Sequence, residues 1–285
     1  MSIHPTAIID ESTHLRADVS IGPYCVIGPN NVIGEGTVLD SHVVIKSYVT
    51  LGKNCQVFSG AVLGGPPQDL KFSETPSYVH IGDGVIIREC VTVHRATGEG
   101  LATVVGDGCM LMAYAHVGHN SVLGKEVILA NAVNLGGHVR IDDFAFIGGM
   151  VAVHQHVHIG RLAMVGGGTA TRQDIAPFSI NQGQMATVIG LNKVGLKRRG
   201  FSLAERSRLK QAYHILWFSG LNNPQAIEAV RQQVEMDANI EELLHFMEVS
   251  KRGVRRPFKK TPSVRHYDDP PEISEPSIPD LQECL

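Results

Sequence analysis

Residues 117–122 read VGHNSV, and the same grammar recurs as IGPYCV at 21–26 and IGEGTV at 33–38. Each begins with an aliphatic leader, continues with glycine, and carries a small or β-branched residue four positions after the leader. Counting outward in sixes, every leader from Ile3 to Leu63 is aliphatic; the pattern resumes at Ile81, Ile87 and Val93, and then runs unbroken from Val105 to Val165. A helix repeats at 3.6 and a half-buried strand at 2. A period of six therefore calls for a short strand, a corner and another strand. The leader fills the core, and glycine is expected to relieve the backbone at the corner. The small residue (Ala7, Thr13, Val19, Ala115, Ser121) points inward where space is tight. One coil cannot bury its own apolar face, so coils must stack. Cys25, Cys55 and Cys109 occupy the small inward position and are expected to be inert buried thiols.

Composition agrees with a turn-rich, regular chain: 285 residues, 30 of them glycine, and 43% hydrophobic. The formal net charge of −3 argues against a general nucleic-acid binder. Five cysteines without CxxC spacing indicate neither a disulfide framework nor a zinc ribbon. No charged segment followed by an apolar run opens the chain, and no apolar stretch is long enough to span a bilayer. A cytoplasmic protein, not embedded in a membrane, is expected.

The repeat resembles the hexapeptide-repeat family, which implies a left-handed parallel β-helix with three hexads per coil. The handedness comes from the resemblance, because crossovers are otherwise nearly always right-handed. The expected architecture is mainly β: a β-helix over 1–187, a small α-helical C-terminal domain over 188–256, and a disordered Pro-rich acidic tail over 257–285. Two stretches break the period, about 64–80 and about 96–104. If both are extruded loops, the hexads led by residues 63, 93, 117, 135 and 153 form one column. Both loops then leave from a corner carrying His94, His119, His138 and His154, with His116 beside it.

Three readings of these histidines compete. Singly, each is a solvated corner residue, as expected for His14, His42 and His80; five on one column make that reading less attractive. A metal site needs three converging ligands. Related hexapeptide-repeat carbonic anhydrases use two histidines five positions apart, whereas His116 and His119 are three apart. No metal is therefore expected. The third reading is a general base, since imidazole can take a proton from a hydroxyl near neutral pH. No Ser-His-Asp or Cys-His arrangement stands out, so a base would activate the substrate's own hydroxyl.

The combination of QDLK at 68–71, TVHR at 92–95, AHVGHN at 115–120, GGHVRIDDFAFIGGMVAVHQ at 136–155 and GLNKVGLKRRGFS at 190–202 resembles the UDP-N-acetylglucosamine O-acyltransferase family of lipid A synthesis over roughly residues 1–256. The resemblance implies transfer of a 3-hydroxyacyl chain from acyl carrier protein to the 3-hydroxyl of the nucleotide sugar. It implies His119 as general base and the Gly137 N–H as oxyanion donor. Asp69, Lys71, His94, His116, His138, His154, Gln155, Asn192, Arg198 and Arg199 would line the nucleotide-sugar and phosphopantetheine site. Met164 and Gly167 would limit acyl length, the small Gly167 hinting at a longer chain. No cofactor is implied, the phosphopantetheine thioester being a substrate. A homotrimer with sites between subunits is implied as well. Two positions depart from the family: Asn120 stands where some members carry aspartate, so a carboxylate orienting His119 would come from elsewhere, and Val194 stands where an acidic residue is common. The rivals are the N-acyltransferase of the same pathway, an acetyl-CoA-dependent sugar acetyltransferase, and a non-catalytic β-helix scaffold. The first has an N-terminal domain, whereas the hexads here begin at Ile3; the QDLK loop argues against the second; no ladder of identical side chains supports the third.

Beyond residue 187 the period changes. SLAERSRLKQAYHILWF begins with Ser202 and carries Glu205 three later, the capping-box spacing. NNPQAIEAVRQQVE is expected to start a helix with Asn223 as cap and Pro224 in the first turn. A third helix is expected over NIEELLHFMEVSKR. Lys193, Lys197, Arg198, Arg199, Arg206, Arg208 and Lys210 form a basic cluster that suits the strongly acidic acyl carrier protein.

Overall fold

A computed structural model describes residues 1–255; the expected 257–285 tail lies outside the described residues. Short parallel strands, most of two residues, form three sheets that are the faces of a triangular prism. The first face starts at Ser2–Ile3, the second at Ile8–Ile9 and the third at His14–Leu15. Ser2 pairs with Ser20 and Ile3 with Ile21, one coil further along, as a three-hexad coil requires. Where the period breaks, the step lengthens: Gln56 pairs with Ile86, and Ile86 with Met110.

The leaders and the small residues build a single core running along the prism axis. Ile27, Ile45, Leu63, Val93, Val117 and Leu135 are at most 1% exposed, so each contributes about 1.5–3 kcal/mol of apolar burial. Cys25, Cys55 and Cys109 are wholly buried among them. Burial raises each thiol, Cys109 to about 12.

Glycine acts differently from the expectation. Glycines after the leader, such as Gly22 and Gly118, do not have positive φ; the left-handed residue is two positions further on, for example Asn120 at 59° and His138 at 59°. What glycine supplies is clearance. A Cβ on Gly118 would lie 2.7 Å from the Leu135 carbonyl oxygen in the next coil.

Both loops leave from the corner between the second and third faces, and both are shorter than expected. Val62–Gly65 and Tyr78–Ile81 extend the strands around the first, leaving residues 66–77 as loop. Ala102–Val105 pairs residue by residue with Tyr78–Ile81, leaving residues 95–101 as the second. Arg95, 4% exposed, ties them together. It pairs with Glu74, and its guanidinium lies 5.4 Å from the Phe72 ring centroid and 5.7 Å from that of Tyr48.

The regular coils end with Ala170–Thr171. Ser179–Gln182 still pairs parallel to Met164–Val165, but then turns antiparallel onto Thr187–Leu191. The expected boundary at 187 thus falls inside a hairpin, and the helical part starts after it. Its helices are α1 (Lys193–Arg198), α2 (Leu203–Phe218), α3 (Asn223–Gln233) and α4 (Ala238–Val249). Ser202 and Glu205 form the capping box on α2. On α3 the cap is Asn222, not Asn223, because Asn222 pairs reciprocally with Gln225 and Pro224 sits in the first turn. Asp237 caps α4, which ends at Val249. Leu209, Tyr213, Leu216 and Trp217 pack with Ile227, Leu243 and Leu244 in a second core.

Candidate active site

The histidines meet on one corner. The second face stacks the strands ending at His94, Val117, Leu135 and Val153, so His94 and residues 95, 118–120, 136–138 and 154–156 lie at the same edge. His94 and His116 rings lie 4.7 Å apart edge-to-face, His119 and His138 5.2 Å apart edge-to-face, and His138 and His156 stack at 4.6 Å. A cavity of ≈ 340 Å³ is lined by His94, His116, His119, Gly137, His154 and Gln155, together with Gln68 from the first loop. A groove of ≈ 820 Å³ continues along the second face past Leu135, Val153 and Ala170 to Arg172 and Met185.

His119 is placed for proton transfer. Its Nδ1 lies 2.8 Å from Asn120 Oδ1, an acceptor, and 3.5 Å from Thr97 Oγ1, so the nearer contact favours a ring with its proton on Nδ1 and a lone pair on Nε2. The aspartate expected to be needed is replaced by a neighbouring amide oxygen with the same accepting role. Beneath the ring lies Gly137, one coil on: a Cβ there would overlap Nε2 and stand 2.6 Å from Cε1. The Gly137 N–H donates to no backbone carbonyl among the described residues.

Burial makes three neighbouring imidazoles, His94, His116 and His138, harder to protonate. Burial pushes His116 down to about 4, with help from His94 and His119, and its Nδ1 pairs with Thr92 Oγ1 at 2.7 Å. Burial also lowers His94 and His138; Asp69 on the first loop pulls His138 the other way. His154 Nδ1 lies 3.1 Å from the Gln155 carbonyl oxygen and 3.2 Å from Arg252 Nη2, and can serve only one of them at a time. Among the described residues no three His, Cys, Asp or Glu side chains are grouped to hold a metal ion.

Other predicted site residues stand elsewhere. The Asp69 side chain caps the Lys71 N–H at 2.9 Å within the first loop, and Lys71 is exposed. Asn192 is buried at the start of α1, accepting from the Gly195 N–H and donating to the Leu162 carbonyl. Arg199 pairs with Glu126 at 2.6 Å and covers the Phe144 ring at 4.0 Å. These contacts lie on the corner between the third and first faces, not the histidine corner. Arg198, next in sequence, is exposed there. Met164 is on the first face and Gly167 on the corner after it; neither lines the histidine cavity.

Comparison with known proteins fits this geometry. The family model for UDP N-acetylglucosamine O-acyltransferase, domain 2, matches residues 174–255, and that for bacterial transferase hexapeptide repeats matches 102–137. The acyl-[acyl-carrier-protein]–UDP-N-acetylglucosamine O-acyltransferase of Thermodesulfovibrio yellowstonii is 46% identical over 256 residues, covering 89% of this chain and 99% of that protein. The chain belongs to the UDP-N-acetylglucosamine O-acyltransferase family. Among solved structures of the family, that from Bacteroides fragilis superposes with a TM-score of 0.87 at 36% identity, covering 89% of this chain and 100% of the other. That from Acinetobacter baumannii gives 0.86 at 36%, covering 89% and 99%. The prism is the left-handed parallel β-helix of this family, followed by its small helical domain. Within the family motifs, Gln68 was the lining residue not singled out from sequence, although it opens the quoted QDLK. Thr97, whose N–H and carbonyl both bond the Asn120 amide, lies in the second loop, which carries no periodicity from which to place it.

Proposed function

We propose that this chain transfers a 3-hydroxyacyl group from acyl carrier protein to the 3-hydroxyl of UDP-N-acetylglucosamine. His119 Nε2 takes the hydroxyl proton as the oxygen attacks the thioester carbonyl. The resulting oxyanion accepts the Gly137 N–H; collapse expels the phosphopantetheine thiolate, which recovers the proton from the imidazolium. No acyl-enzyme intervenes, and the buried cysteines lie away from the chemistry. The observation that carries the reading is the His119 ring, its Nδ1 against the Asn120 amide oxygen, seated on the backbone of Gly137 one coil on, whose N–H donates to no backbone carbonyl among the described residues. His116, held neutral, is suited to a hydrogen bond with substrate rather than to a cation's role.

The same reading makes the site composite. Asn192, Arg198 and Arg199 stand on a different edge from His119, so in a homotrimer they would approach the histidine corner of a neighbouring subunit. Arg198 and Arg199 would meet the pyrophosphate, whose paired oxygens suit a guanidinium fork. Met164 and Gly167 would likewise border a neighbour's groove and limit acyl length. Asp69 and Lys71 would close over the sugar from the first loop. Among the described residues no helix is long and apolar enough to cross a membrane, and with an acyl-carrier-protein substrate the proposed place of action is the cytoplasm.

The test is turnover of purified protein with UDP-N-acetylglucosamine and 3-hydroxyacyl carrier proteins of several lengths. His119→Ala is expected to lose about 10²–10⁴-fold while staying folded. Full activity in that variant would end the base assignment. Mixing His119→Ala with Arg199→Ala subunits is expected to restore part of the activity of either alone; no recovery on mixing would count against shared sites.

A further inference from the structure

Asn120 does more than touch His119, and what it does is set by the second loop. Its Oδ1 receives the Thr97 N–H at 2.9 Å, and its Nδ2 donates to the Thr97 carbonyl at 3.1 Å. The backbone of one loop residue thus reads both ends of the amide. The Asn120 N–H is held in turn by Thr103 Oγ1 at 2.8 Å, in the strand that follows the loop. Asn120 sits in the left-handed conformation, φ 59°, which asparagine tolerates better than most side chains. With the amide so fixed, its oxygen faces His119 Nδ1 at 2.8 Å.

A flipped amide would set NH2 against the Thr97 N–H and oxygen against the Thr97 carbonyl, losing two hydrogen bonds and creating two repulsions. The flip would turn the near partner of His119 Nδ1 into a donor and move the ring proton to Nε2; the other neighbour of Nδ1, the Thr97 hydroxyl, stands further off at 3.5 Å and can donate or accept. We infer that Thr97 is a positioning residue: its backbone selects the Asn120 amide orientation and, through it, the Nδ1–H tautomer that leaves Nε2 basic. The contribution to turnover rests on the proposed role of His119 as base; the tautomer lock itself does not. Asparagine at 120 is then a specific choice. A carboxylate could still take the Nδ1–H, but it has no N–H for the Thr97 carbonyl and would press an anionic oxygen against it.

Nitrogen-15 NMR of histidine-labelled full-length protein, assigned with His119→Gln, reports the tautomer directly. The wild type is expected to show His119 as Nδ1–H alone. Asn120→Ala is expected to show a mixture with Nε2–H, and kcat lower by about 10-fold or more with KM for UDP-N-acetylglucosamine changed less than about 3-fold. Thr97→Pro, which removes the N–H and the hydroxyl but keeps the carbonyl, is expected to move the tautomer in the same direction, and Thr97→Val, which removes the hydroxyl alone, to leave it unchanged. Asn120→Asp is expected to keep Nδ1–H while loosening the loop, seen as faster amide exchange across 95–101. An Nε2–H signal for His119 in the wild type, or an unchanged tautomer in Asn120→Ala, would overturn the lock. A shifted tautomer with unchanged kcat would leave the lock standing and remove His119 as the base.

Discussion

Replacing Gly137 by alanine tests the central geometry with one methyl group. The new Cβ would stand 2.6 Å from His119 Cε1 and 3.0 Å from Cδ2, and closer still to Nε2. Ordinary contact needs about 3.5 Å, so the ring must retreat by roughly 1 Å. The backbone does not resist the change, since Gly137 is not among the positive-φ residues. The ring is the end of a half-buried side chain that can rotate outward, so the fold has little at stake. Chemistry has more, because a misplacement of about 1 Å can cost on the order of 10²-fold, about 3 kcal/mol in activation free energy. Gly137→Ala is therefore expected to keep its melting temperature within a few degrees of wild type. Its kcat with UDP-N-acetylglucosamine and a 3-hydroxyacyl carrier protein should drop about 100-fold, with a small change in KM. Turnover within about threefold of wild type in a folded Gly137→Ala protein would refute the argument that the chemistry depends on the His119 ring seated against Gly137.

Because burial holds His116 down to about 4 against about 6.5 in an unfolded chain, the unfolded state binds the extra proton between those values. Stability from this group is complete above pH 6.5 and lost as pH falls toward 4; melting scans should show a weaker acid limb in His116→Gln, and an identical limb would exclude it as a contributor. Arg95→Met should loosen the first loop, since Glu74, Phe72 and Tyr48 lose their shared partner; limited proteolysis should then cut within 66–77 at protease levels that leave the wild type whole. In the basic cluster, Arg199 and Arg208 are already paired with Glu126 and with Asp237 and Glu235. Lys197 and Lys210 have no carboxylate partner among the described residues and are exposed. Charge reversal of both should raise KM for the acyl carrier protein about tenfold at low salt, the difference shrinking at high salt where charges are screened; a salt-independent KM would remove the patch from docking.

The period of six determined the architecture, because each leader must be buried and only stacked coils can bury it. Ile27 and Leu135 point inward for the same local reason, so excising the two loops aligns His94, His119 and His138 from the sequence alone. The family motifs then assigned the chemistry. What the repeat could not carry was anything set by backbone approach across coils or by the aperiodic loops. Gly118 reads as a conformational glycine, but only the neighbouring coil shows that its need is clearance from the Leu135 carbonyl. Asn120 reads as a missing carboxylate, yet in three dimensions its amide is oriented by Thr97, a residue 23 positions away in a loop that obeys no period. Asn192 and Arg199 read as partners of the histidines, but packing of α1 against Leu162, Glu126 and Phe144 puts them on another edge. Periodicity encodes burial, which is local; tautomers, clearances and the edge a helix docks against depend on atoms far apart in sequence, and only the folded chain brings those together.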